Sequence, residues 1–366
     1  MAGDPGTILI MAAGTGGHVF PALTIAHALR EQGIRTEWLG TKQGMEHRLL
    51  ENTGIKIHPI SAKGLKGKGV LRLLLAPFMM IAALIQSMGV ISRVNPKCVL
   101  GMGGFVSGPG GLAAKLMGRR LIIHEQNAVP GFTNRVLSKI SDRVFEAFPN
   151  TFKSSSKVVY TGNPVRKEIA DLHNVVRNVT DADKALQVLV LGGSQGALAI
   201  NQVIPNVLAQ MPANERPFLL HQTGKATLQQ TKELYQSLKL DLSEKIRLQA
   251  FIDDMPSAYA WADLVICRSG ASTVSEIAAV GLPSILIPYP HHSDQQQTHN
   301  ANWLVNGGAA CLVQQSELDA ASLHALLDLL CSDREKLQLM SANAKSLAVC
   351  NADEQIAAQC MELARG

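Results

Sequence analysis

Two stretches decide the fold: ILIMAAGTGGHVFP at residues 8–21 and QVLVLGGSQGA at residues 187–197. Each begins with a short apolar run, passes through a glycine-rich turn and enters a segment with helical periodicity. An uninterrupted apolar run of this length is typical of a strand that is buried on both faces of a parallel sheet. The two stretches therefore predict two strand–loop–helix openings, with Gly17 and Gly193 lying 176 residues apart.

The rest of the chain repeats this alternation of strands and helices, which indicates βαβ units and parallel sheets. We predict an α/β protein of two doubly wound, Rossmann-like domains. Such domains bind ligands at the carboxyl ends of their strands, here expected in a cleft between the two. The predicted strands are 8–13, 36–39, 98–100, 121–124 and 187–191, with another running into a turn at 266–270, and the predicted helices are 21–32, 110–117, 197–208, 334–349 and 352–365.

Composition limits the class of protein. The 366 residues are 46% hydrophobic and 17% charged, which suits two buried cores and is too apolar for a disordered chain. The net charge of +5 is unevenly spread, because residues 1–166 carry 20 basic and 8 acidic side chains while residues 167–366 carry 14 and 21. The basic half suggests an anionic partner, although drift of surface charge would give the same asymmetry. With only 4% aromatic residues, nucleic acid is disfavoured as that partner.

The cysteines and the first residues indicate a cytosolic location without a metal cofactor. No two of the six cysteines are spaced as C-x-x-C, which favours reduced thiols over a zinc site or a disulfide framework. No basic segment precedes the first apolar run, so no signal peptide is expected. The D-x-D at 181–183 lies in a polar linker zone, 171–184, and Asp253 and Asp254 have no further ligand nearby, so we expect no metal.

The first glycine turn, GTGGH at 14–18, is typical of an anion-binding loop. Glycines let backbone N–H groups approach a phosphate at a helix N-terminus, although a tight turn also needs them. The dinucleotide pattern G-x-G-x-x-G fails at Val19, and no P-loop pattern is present. His18 is a candidate general base because imidazole titrates near neutral pH, with a capping histidine as the structural alternative.

A second polar cluster follows the predicted strand at 266–270. The hydroxyl-rich helix start at 271–276 would offer N–H donors and a dipole to a phosphate. Glu276 is placed to accept two hydrogen bonds from a ribose diol, or else only stabilises the helix start. The polar loop beyond it carries Asp294, Gln297 and Asn300 and has the composition of a functional loop.

The 20 residues from Leu73 to Ser92 carry no charge, and hydropathy alone would flag them as a membrane span. A span would place two strands of one sheet on opposite sides of a bilayer, and Pro77 weakens it further. A helix buried against the sheet is a second interpretation. The third is an interfacial patch in which residues 73–80 dip into lipid beside basic residues, namely Lys63, Lys66, Lys68 and Arg72.

Together these motifs resemble the MurG family of bacterial cell-wall glycosyltransferases. The matching runs follow in order along nearly the whole chain, with Ala13 as a departure where the family usually has glycine. They are residues 14–21, 101–111, 124–127, 162–166, 192–197, 251–255 and 267–276.

The resemblance implies a GT-B fold, in which two Rossmann-like domains face each other across a cleft. Residues 1–164 with 350–366 would form the acceptor- and membrane-associated domain, and residues 165–349 the donor domain. It implies inverting transfer of GlcNAc from UDP-GlcNAc to the 4-hydroxyl of MurNAc in lipid I, giving lipid II for peptidoglycan, without a metal or other cofactor. Such an enzyme would be peripheral on the cytoplasmic face of the inner membrane, touching anionic lipid, and would serve cell wall synthesis, cell shape and cell division.

Site residues are carried over by position. His18 would be the catalytic base, and four residues of the glycine-rich run at 101–111 would bind the acceptor diphosphate: Gly103, Gly104, Ser107 and Gly110. The donor site would comprise Thr15, Gly16, Gly17, Asn127, Arg166, Ser194, Ile252, Ala271, Ser272, Thr273, Val274, Ser275, Glu276 and Gln297, with Gln296 as the alternative to Gln297.

Three other functions stay open on the sequence. One is a GT-B glycosyltransferase with a different lipid acceptor, such as diacylglycerol. Another is a UDP-sugar epimerase of the same fold, which would form product without an acceptor. The last is a non-catalytic sensor of nucleotide sugars at the membrane, which would bind UDP-GlcNAc without releasing UDP.

Overall fold

The computed structural model describes residues 6–62, 70–177, 179, 184–193, 197–291 and 294–365, with the backbone alone for 70–74. The chain forms two compact units, one of residues 1–166 with 349–366 and one of residues 167–348. The domain boundaries expected from the resemblance lie within two residues of these unit boundaries. Arg166, which was expected in the second domain, belongs to the first unit. Each unit is a parallel sheet covered by helices, the doubly wound architecture predicted from the sequence.

The first unit contains, among the described residues, a seven-stranded parallel sheet in the order β3-β2-β1-β4-β5-β6-β7. The strands are β1 (Thr7–Met11), β2 (Arg35–Thr41), β3 (Lys56–Ile60), β4 (Cys98–Gly101), β5 (Arg120–Glu125), β6 (Arg143–Glu146) and β7 (Val158–Tyr160). The helices are α1 (Gly16–Glu31), α2 (Met45–Leu50), α3 (Val70–Val94), α4 (Ser107–Leu116), α5 (Phe132–Leu137) and, from the end of the chain, α14 (Ala352–Arg365).

The second unit contains, within the same described ranges, a six-stranded parallel sheet in the order β10-β9-β8-β11-β12-β13. The strands are β8 (Gln187–Leu191), β9 (Phe218–Gln222), β10 (Ile246–Gln249), β11 (Leu264–Cys267), β12 (Ser284–Leu286) and β13 (Ala310–Leu312). The helices are α6 (Lys167–Ala170), α7 (Leu198–Gln210), α8 (Leu228–Ser237), α9 (Met255–Trp261), α10 (Ala271–Val280), α11 (Gln296–Asn306), α12 (Ala320–Ser332) and α13 (Arg334–Leu347), with 3-10 turns at Asp171–Asn174 and Gln315–Glu317.

Strand β1 shows why the apolar runs become central strands. Ile8 and Ile10 pack on one face of the sheet with residues of α1 and α14. Leu9 and Met11 pack on the opposite face with residues of α3 and α4. A strand buried on both faces needs apolar side chains at every position, so the run lacks the alternation of a half-exposed strand.

The strand order reverses at the same place in both sheets. The first strand of each unit lies between a strand that follows it directly and one that comes much later, so β1 adjoins β4 and β8 adjoins β11. The loops leaving these neighbouring strands diverge to opposite faces and open a crevice at the carboxyl ends of the strands. The glycine turns noted in the sequence follow these strands.

Two helices begin earlier than the sequence predicted. Helix α1 starts at Gly16 rather than at Pro21, because the carbonyl of Thr15 already accepts hydrogen bonds from the N–H groups of His18 and Val19. Pro21 therefore lies inside the helix. Helix α4 starts at Ser107 rather than near residue 110. In α1 the end of the glycine turn is itself the first helical turn, whereas α4 begins three residues after Gly104.

Helix α3 is, within the described residues, long and apolar enough to cross a membrane, but only 28% of Leu75–Val94 is buried. The buried-helix interpretation holds for one side of α3 only, where Ala83, Val90 and Ile91 are buried in the core with residues of β1. Helix α3 connects β3 to β4, and these two strands belong to the same sheet, with β2 and β1 between them. A helix that crossed a membrane would put β3 and β4 on opposite sides of it, so a membrane span conflicts with the sheet. The helix lies along the first unit with an apolar face exposed.

Candidate active site

In the first unit, His18 occupies the first turn of α1, directly after the glycine turn. Its Nδ1 lies 3.4 Å from the hydroxyl oxygen of Thr15, which precedes the helix. Its ring rests on Gly103, where a Cβ atom would lie 2.9 Å from Nε2. Gly103 has a φ of +91°, which favours glycine, and the imidazole above it leaves no room for a side chain.

Burial lowers the pKa of His18 below its usual value of 6.5, because desolvation disfavours the imidazolium form. The side chain is still partly exposed to solvent. At neutral pH the ring is therefore neutral and can accept a proton. This is the state that a general base needs at the start of a reaction.

In the first unit, the glycine turn at 14–18 contacts a second glycine turn, which begins at the end of β4 and spans 101–104. A Cβ atom on Gly104 would lie 2.1 Å from the carbonyl oxygen of Ala13, and Gly104 has a φ of +79°. The N–H of Met102 also donates to the carbonyl of Met11, 2.8 Å away. Thr15, Gly16, Gly17, Gly103 and Gly104 are thus brought to one end of the sheet around His18.

Two residues predicted to bind the acceptor diphosphate do not fit that role. The hydroxyl of Ser107 is fully buried and donates to the carbonyl of Gly103 at 2.7 Å. Gly110 donates its N–H to the carbonyl of Val106 and packs against β1, where a Cβ atom would lie 2.3 Å from the sulfur of Met11. Their polar groups are used inside the unit, so we correct this part of the prediction.

Asn127 is held by a buried carboxylate. Oε1 of Glu125 accepts hydrogen bonds from the N–H of Asn127 at 3.1 Å and from its side-chain amide at 3.2 Å. Oε2 of Glu125 accepts from Gly131 and Asn134. Burial raises the pKa of Glu125, although these four donors favour the carboxylate. Glu125 was not among the residues predicted from the sequence, and its place two residues before Asn127 was the available signal.

Arg166 lies beside the first glycine turn. Its guanidinium carbon is 5.7 Å from the centre of the Phe20 ring, within the range of a cation–π contact. The same ring contacts Gly16, since a Cβ atom there would lie 3.1 Å from Phe20. The structure thus associates Arg166 with the loop of His18 in the first unit.

In the second unit, the residues 271–276 form the first turns of α10. Gly270 precedes the helix with an extended backbone. Ser272 and Thr273 are partly exposed, whereas Val274 is fully buried. The hydroxyl of Ser275 donates to the carbonyl of Ala271 at 3.0 Å. The predicted phosphate contact would therefore fall to the backbone and first hydroxyls of this helix start, because the side chain of Ser275 bonds within the helix.

Glu276 has a partner that the sequence did not indicate. The buried phenol of Tyr259, in α9, donates a hydrogen bond to Oε2 of Glu276 at 3.0 Å. The carboxylate is therefore fixed in orientation from one side. Tyr259 lies 17 residues away in sequence and on another helix, so only the folded structure brings the pair together.

Ile252 and Gln297 are both engaged by neighbouring chain segments. The N–H of Ile252 donates to Oε1 of Gln222 at 3.0 Å. Oε1 of Gln297 accepts from the N–H of Tyr289 at 2.9 Å, and its carbonyl accepts from the hydroxyl of Ser269. Gln297 thus organises the polar loop predicted from the sequence. Gln296 begins α11, and the predicted Ser194 lies outside the described residues.

The described part of the chain shows no group of three or more His, Cys, Asp or Glu side chains placed to hold a metal ion. The first unit presents a neutral imidazole at a helix start, and the second unit presents a helix start with a fixed carboxylate. Both lie at the carboxyl ends of parallel strands. This combination suits a base and an anionic nucleotide.

Comparison with known proteins identifies the family of both units. Residues 8–146 match the glycosyltransferase family 28 N-terminal domain, and residues 187–356 match the glycosyltransferase family 28 C-terminal domain. The two Rossmann-like units are those of a GT-B glycosyltransferase.

Individual relatives show which kind of glycosyltransferase the chain resembles most. A protein of Shewanella loihica, named UDP-N-acetylglucosamine–N-acetylmuramyl-(pentapeptide) pyrophosphoryl-undecaprenol N-acetylglucosamine transferase, is 49% identical over 98% of this chain and 97% of its own. A protein of Ectopseudomonas mendocina with the same name is 48% identical over 99% of both chains. The crystal structure of Acinetobacter baumannii MurG superposes with a TM-score of 0.82, at 38% identity over 98% of this chain and 100% of that one. The chain belongs to glycosyltransferase family 28 and, within it, to the MurG family.

Proposed function

We propose that this enzyme transfers GlcNAc from UDP-GlcNAc to the 4-hydroxyl of MurNAc in lipid I and so produces lipid II for peptidoglycan. The observation that carries the proposal is the 49% identity along 98% of the chain to a relative named for that reaction. The neutral His18 and the helix start at 271–276 supply chemistry that the reaction needs. Through this product the enzyme would serve cell wall synthesis, and with it cell shape and division.

In the first unit, His18 would take the proton from the acceptor hydroxyl as its oxygen attacks the anomeric carbon. Attack from the face opposite UDP inverts that carbon and gives a β-1,4 link. A positioned general base contributes about 10²–10⁴-fold to such a rate. The touching glycine turns, with Gly103 and Gly104, would receive the acceptor's diphosphate.

The predicted donor-site residues are divided between the units, with Ile252, 271–276 and Gln297 in the second and 15–17, Asn127 and Arg166 in the first. Those of the second unit would bind the nucleotide of UDP-GlcNAc. Glu276 would accept hydrogen bonds from the ribose hydroxyls, and the main chain of Ile252 would contact uracil. The leaving diphosphate gains negative charge, which the N-terminus of α10 and the guanidinium of Arg166 would stabilise. We propose that no metal is required, so turnover should persist in EDTA.

The membrane contact would be an apolar patch on the first unit, formed by exposed side chains of three neighbouring helices. Phe78 on α3 is 71% exposed and Phe132 on α5 is 79% exposed. Basic residues lie nearby in the sequence: Arg135 is in the last turn of α5, Lys139 follows α5, and Arg119 follows α4. Such residues would favour anionic lipid. Lys63, Lys66 and Lys68 lie outside the described residues. The patch comprises Leu75, Phe78, Ile81, Ile85, Leu112, Leu116, Phe132 and Val136.

Such a patch supports a peripheral enzyme on the cytoplasmic face of the inner membrane, where lipid I would be presented. Exposed apolar side chains gain free energy at a lipid interface, and nearby basic side chains add about 1 kcal/mol each toward anionic lipid.

The reaction is tested with purified enzyme, UDP-GlcNAc and a lipid I analogue, following UDP release and the disaccharide lipid. We expect both products in equal amounts, and only when both substrates are present. Transfer to diacylglycerol instead would support the first alternative. Isomerised UDP-sugar without acceptor would indicate an epimerase. UDP-GlcNAc binding without UDP release would indicate a sensor.

A further inference from the structure

We propose that Gln222 positions the donor's nucleobase site, because it joins the two loops that would hold the ends of the nucleotide. The inference rests on the proposed function, in which the second unit binds UDP-GlcNAc with uracil at Ile252. Gln222 does not touch the reacting atoms, so it is a positioning residue and not a catalytic one.

Gln222 is the last residue of β9, which lies between β8 and β10. It pairs in register with Leu191 on one side and with Gln249 on the other. Its main-chain carbonyl accepts a hydrogen bond from the N–H of Gly192 at 3.0 Å. Its side-chain Oε1 accepts from the N–H of Ile252, also at 3.0 Å. One residue therefore holds the start of the glycine turn after β8 and the loop after β10.

The side chain is needed because the strand ladder ends before Ile252. The N–H groups of Thr223 and Gly224 still bond to the carbonyls of Gln249 and Ala250. Ile252 is 4% exposed, and a buried N–H without a partner destabilises the conformation that buries it. Gln222, itself 4% exposed, provides that partner and thereby fixes the main chain at residue 252.

The residues on either side of Gln222 are held by a buried network. Nε2 of His221 lies 3.0 Å from Oδ1 of Asn201, and Nδ1 of His221 lies 3.1 Å from the phenol oxygen of Tyr235. The amide of Asn201 donates to the carbonyl of Thr223 at 2.9 Å. His221, Asn201 and Thr223 are all buried. The end of β9 is therefore a rigid support, as an accurate binding site requires.

A fixed main chain at residue 252 would help the site to distinguish uracil from cytosine. Uracil and cytosine differ in the donors and acceptors on the edge that a main chain would contact. Because Gln222 already holds the N–H of Ile252, the main chain would meet the base through its carbonyl, which accepts the N3–H of uracil, whereas N3 of cytosine carries no hydrogen. Gln222 should therefore contribute to both affinity for the uridine nucleotide and discrimination against cytidine.

The test replaces Gln222 by Met, which keeps the length and removes the acceptor. We expect KM for UDP-GlcNAc and Kd for UDP to rise about three- to tenfold. The value of kcat should stay within about twofold of wild type, and the preference for UDP over CDP should fall by a similar three- to tenfold factor. Gln249→Met is the matched control, because it makes the same change one strand away on a residue whose side chain is exposed.

If Gln222→Met and Gln249→Met bind UDP alike, or if Gln222→Met lowers kcat with KM unchanged, the inference is overturned. A wild type that neither binds UDP nor transfers GlcNAc would instead overturn the proposed function. If Gln222→Met fails to fold, Gln222→Glu is the second variant to test. Its side chain has the same length and keeps an acceptor oxygen. Measured with uridine, which has no phosphate to repel the new carboxylate, it should bind within about twofold of wild type, and a tenfold loss would contradict the proposal.

Discussion

His18 combines a place at a helix start with a lowered pKa. The positive end of a helix dipole and burial each disfavour a protonated imidazole, and both act on His18. The side chain is still partly exposed to solvent, and its ring packs against Gly103. The residue is therefore suited to accept a proton but not to hold one in the resting enzyme.

We predict that His18→Ala lowers turnover by about 10²–10⁴-fold while UDP binding stays within about twofold of wild type. In the wild type, kcat/KM should hold as pH falls to 6.5 and decline only below it, because the lowered pKa keeps the base neutral there. Steady-state kinetics across pH and calorimetric UDP binding check both statements. His27→Ala, an exposed histidine on the same helix, is the control. Near-normal turnover of the His18 variant would remove it as the base.

The carboxylate of Glu276 depends on a phenol from another helix. With Tyr259 holding Oε2 at 3.0 Å, the carboxylate is oriented before any nucleotide arrives. Preorganisation of this kind lowers the entropy lost on binding. Under the proposed function, the effect should be confined to ligands whose ribose carries the hydroxyls assigned to Glu276.

Accordingly, Tyr259→Phe should weaken UDP binding by about three- to tenfold and leave binding of 2′,3′-dideoxy-UDP nearly unchanged. Titration calorimetry with the two nucleotides measures the difference. Tyr160→Phe makes the same change in the first unit and should affect neither. An equal loss for both nucleotides would show that Tyr259 supports the fold rather than the ribose site.

At the scale of elements, α3 departs from the usual role of a crossover helix. Such a helix normally turns one apolar stripe to its sheet and a polar face to water. Here Ile81 and Ile85 are 55% and 63% exposed, although Ala83 and Ile91 are buried in the core. An apolar face of this extent on a parallel-sheet unit marks an interaction surface.

Replacing Phe78 and Ile85 together by Ser should reduce binding to anionic vesicles by at least about tenfold, since each loses apolar contact with lipid. Vesicle co-sedimentation measures it, and turnover with a short-chain soluble acceptor should be retained. Leu339→Ser, an equally exposed apolar residue on α13, is the control. Unchanged vesicle binding by the double variant would contradict the membrane role of the patch.

The elements also show what the sequence could predict. Apolar runs followed by glycine turns located β1 and β8, because a strand buried on both faces leaves no other pattern. The pairs Gln222–Ile252 and Tyr259–Glu276 were missed, since they depend on strand order and helix packing that local periodicity does not encode. Ser107 and Gly110 were misassigned because a packing glycine and a phosphate-binding glycine look alike in sequence.

At the scale of the whole molecule, each unit contains a buried histidine outside the proposed chemistry. Nε2 of His124 lies 3.0 Å from the carbonyl of Gly162, and its Nδ1 lies 3.1 Å from the amide nitrogen of Gln126. Burial lowers the pKa of His124 to about 4 and that of His221 to about 3. Both rings are therefore neutral in the folded state, whereas in the unfolded chain they titrate near 6.5.

Below pH 6.5 the unfolded state binds more protons than the folded one, so stability falls as pH falls. We predict that each unit loses roughly 3 kcal/mol of unfolding free energy from this source between pH 6.5 and 4. Hydrogen exchange resolved by peptide follows the two units separately. His124→Gln should flatten this dependence in the first unit only, and His221→Gln in the second only, while His27→Gln should change neither. A stability that does not vary over this range would refute the assignment.

Helix α14 places residues from the end of the chain in the core of the first unit, where Ile356, Ala357 and Cys360 are fully buried beside α1. During synthesis, residues 1–166 leave the ribosome long before α14 exists, so their core stays uncovered while residues 167–348 are being translated. The second unit can finish folding first, even though it is made later. Loss of a few C-terminal residues would consequently damage the half of the protein that the ribosome made earliest.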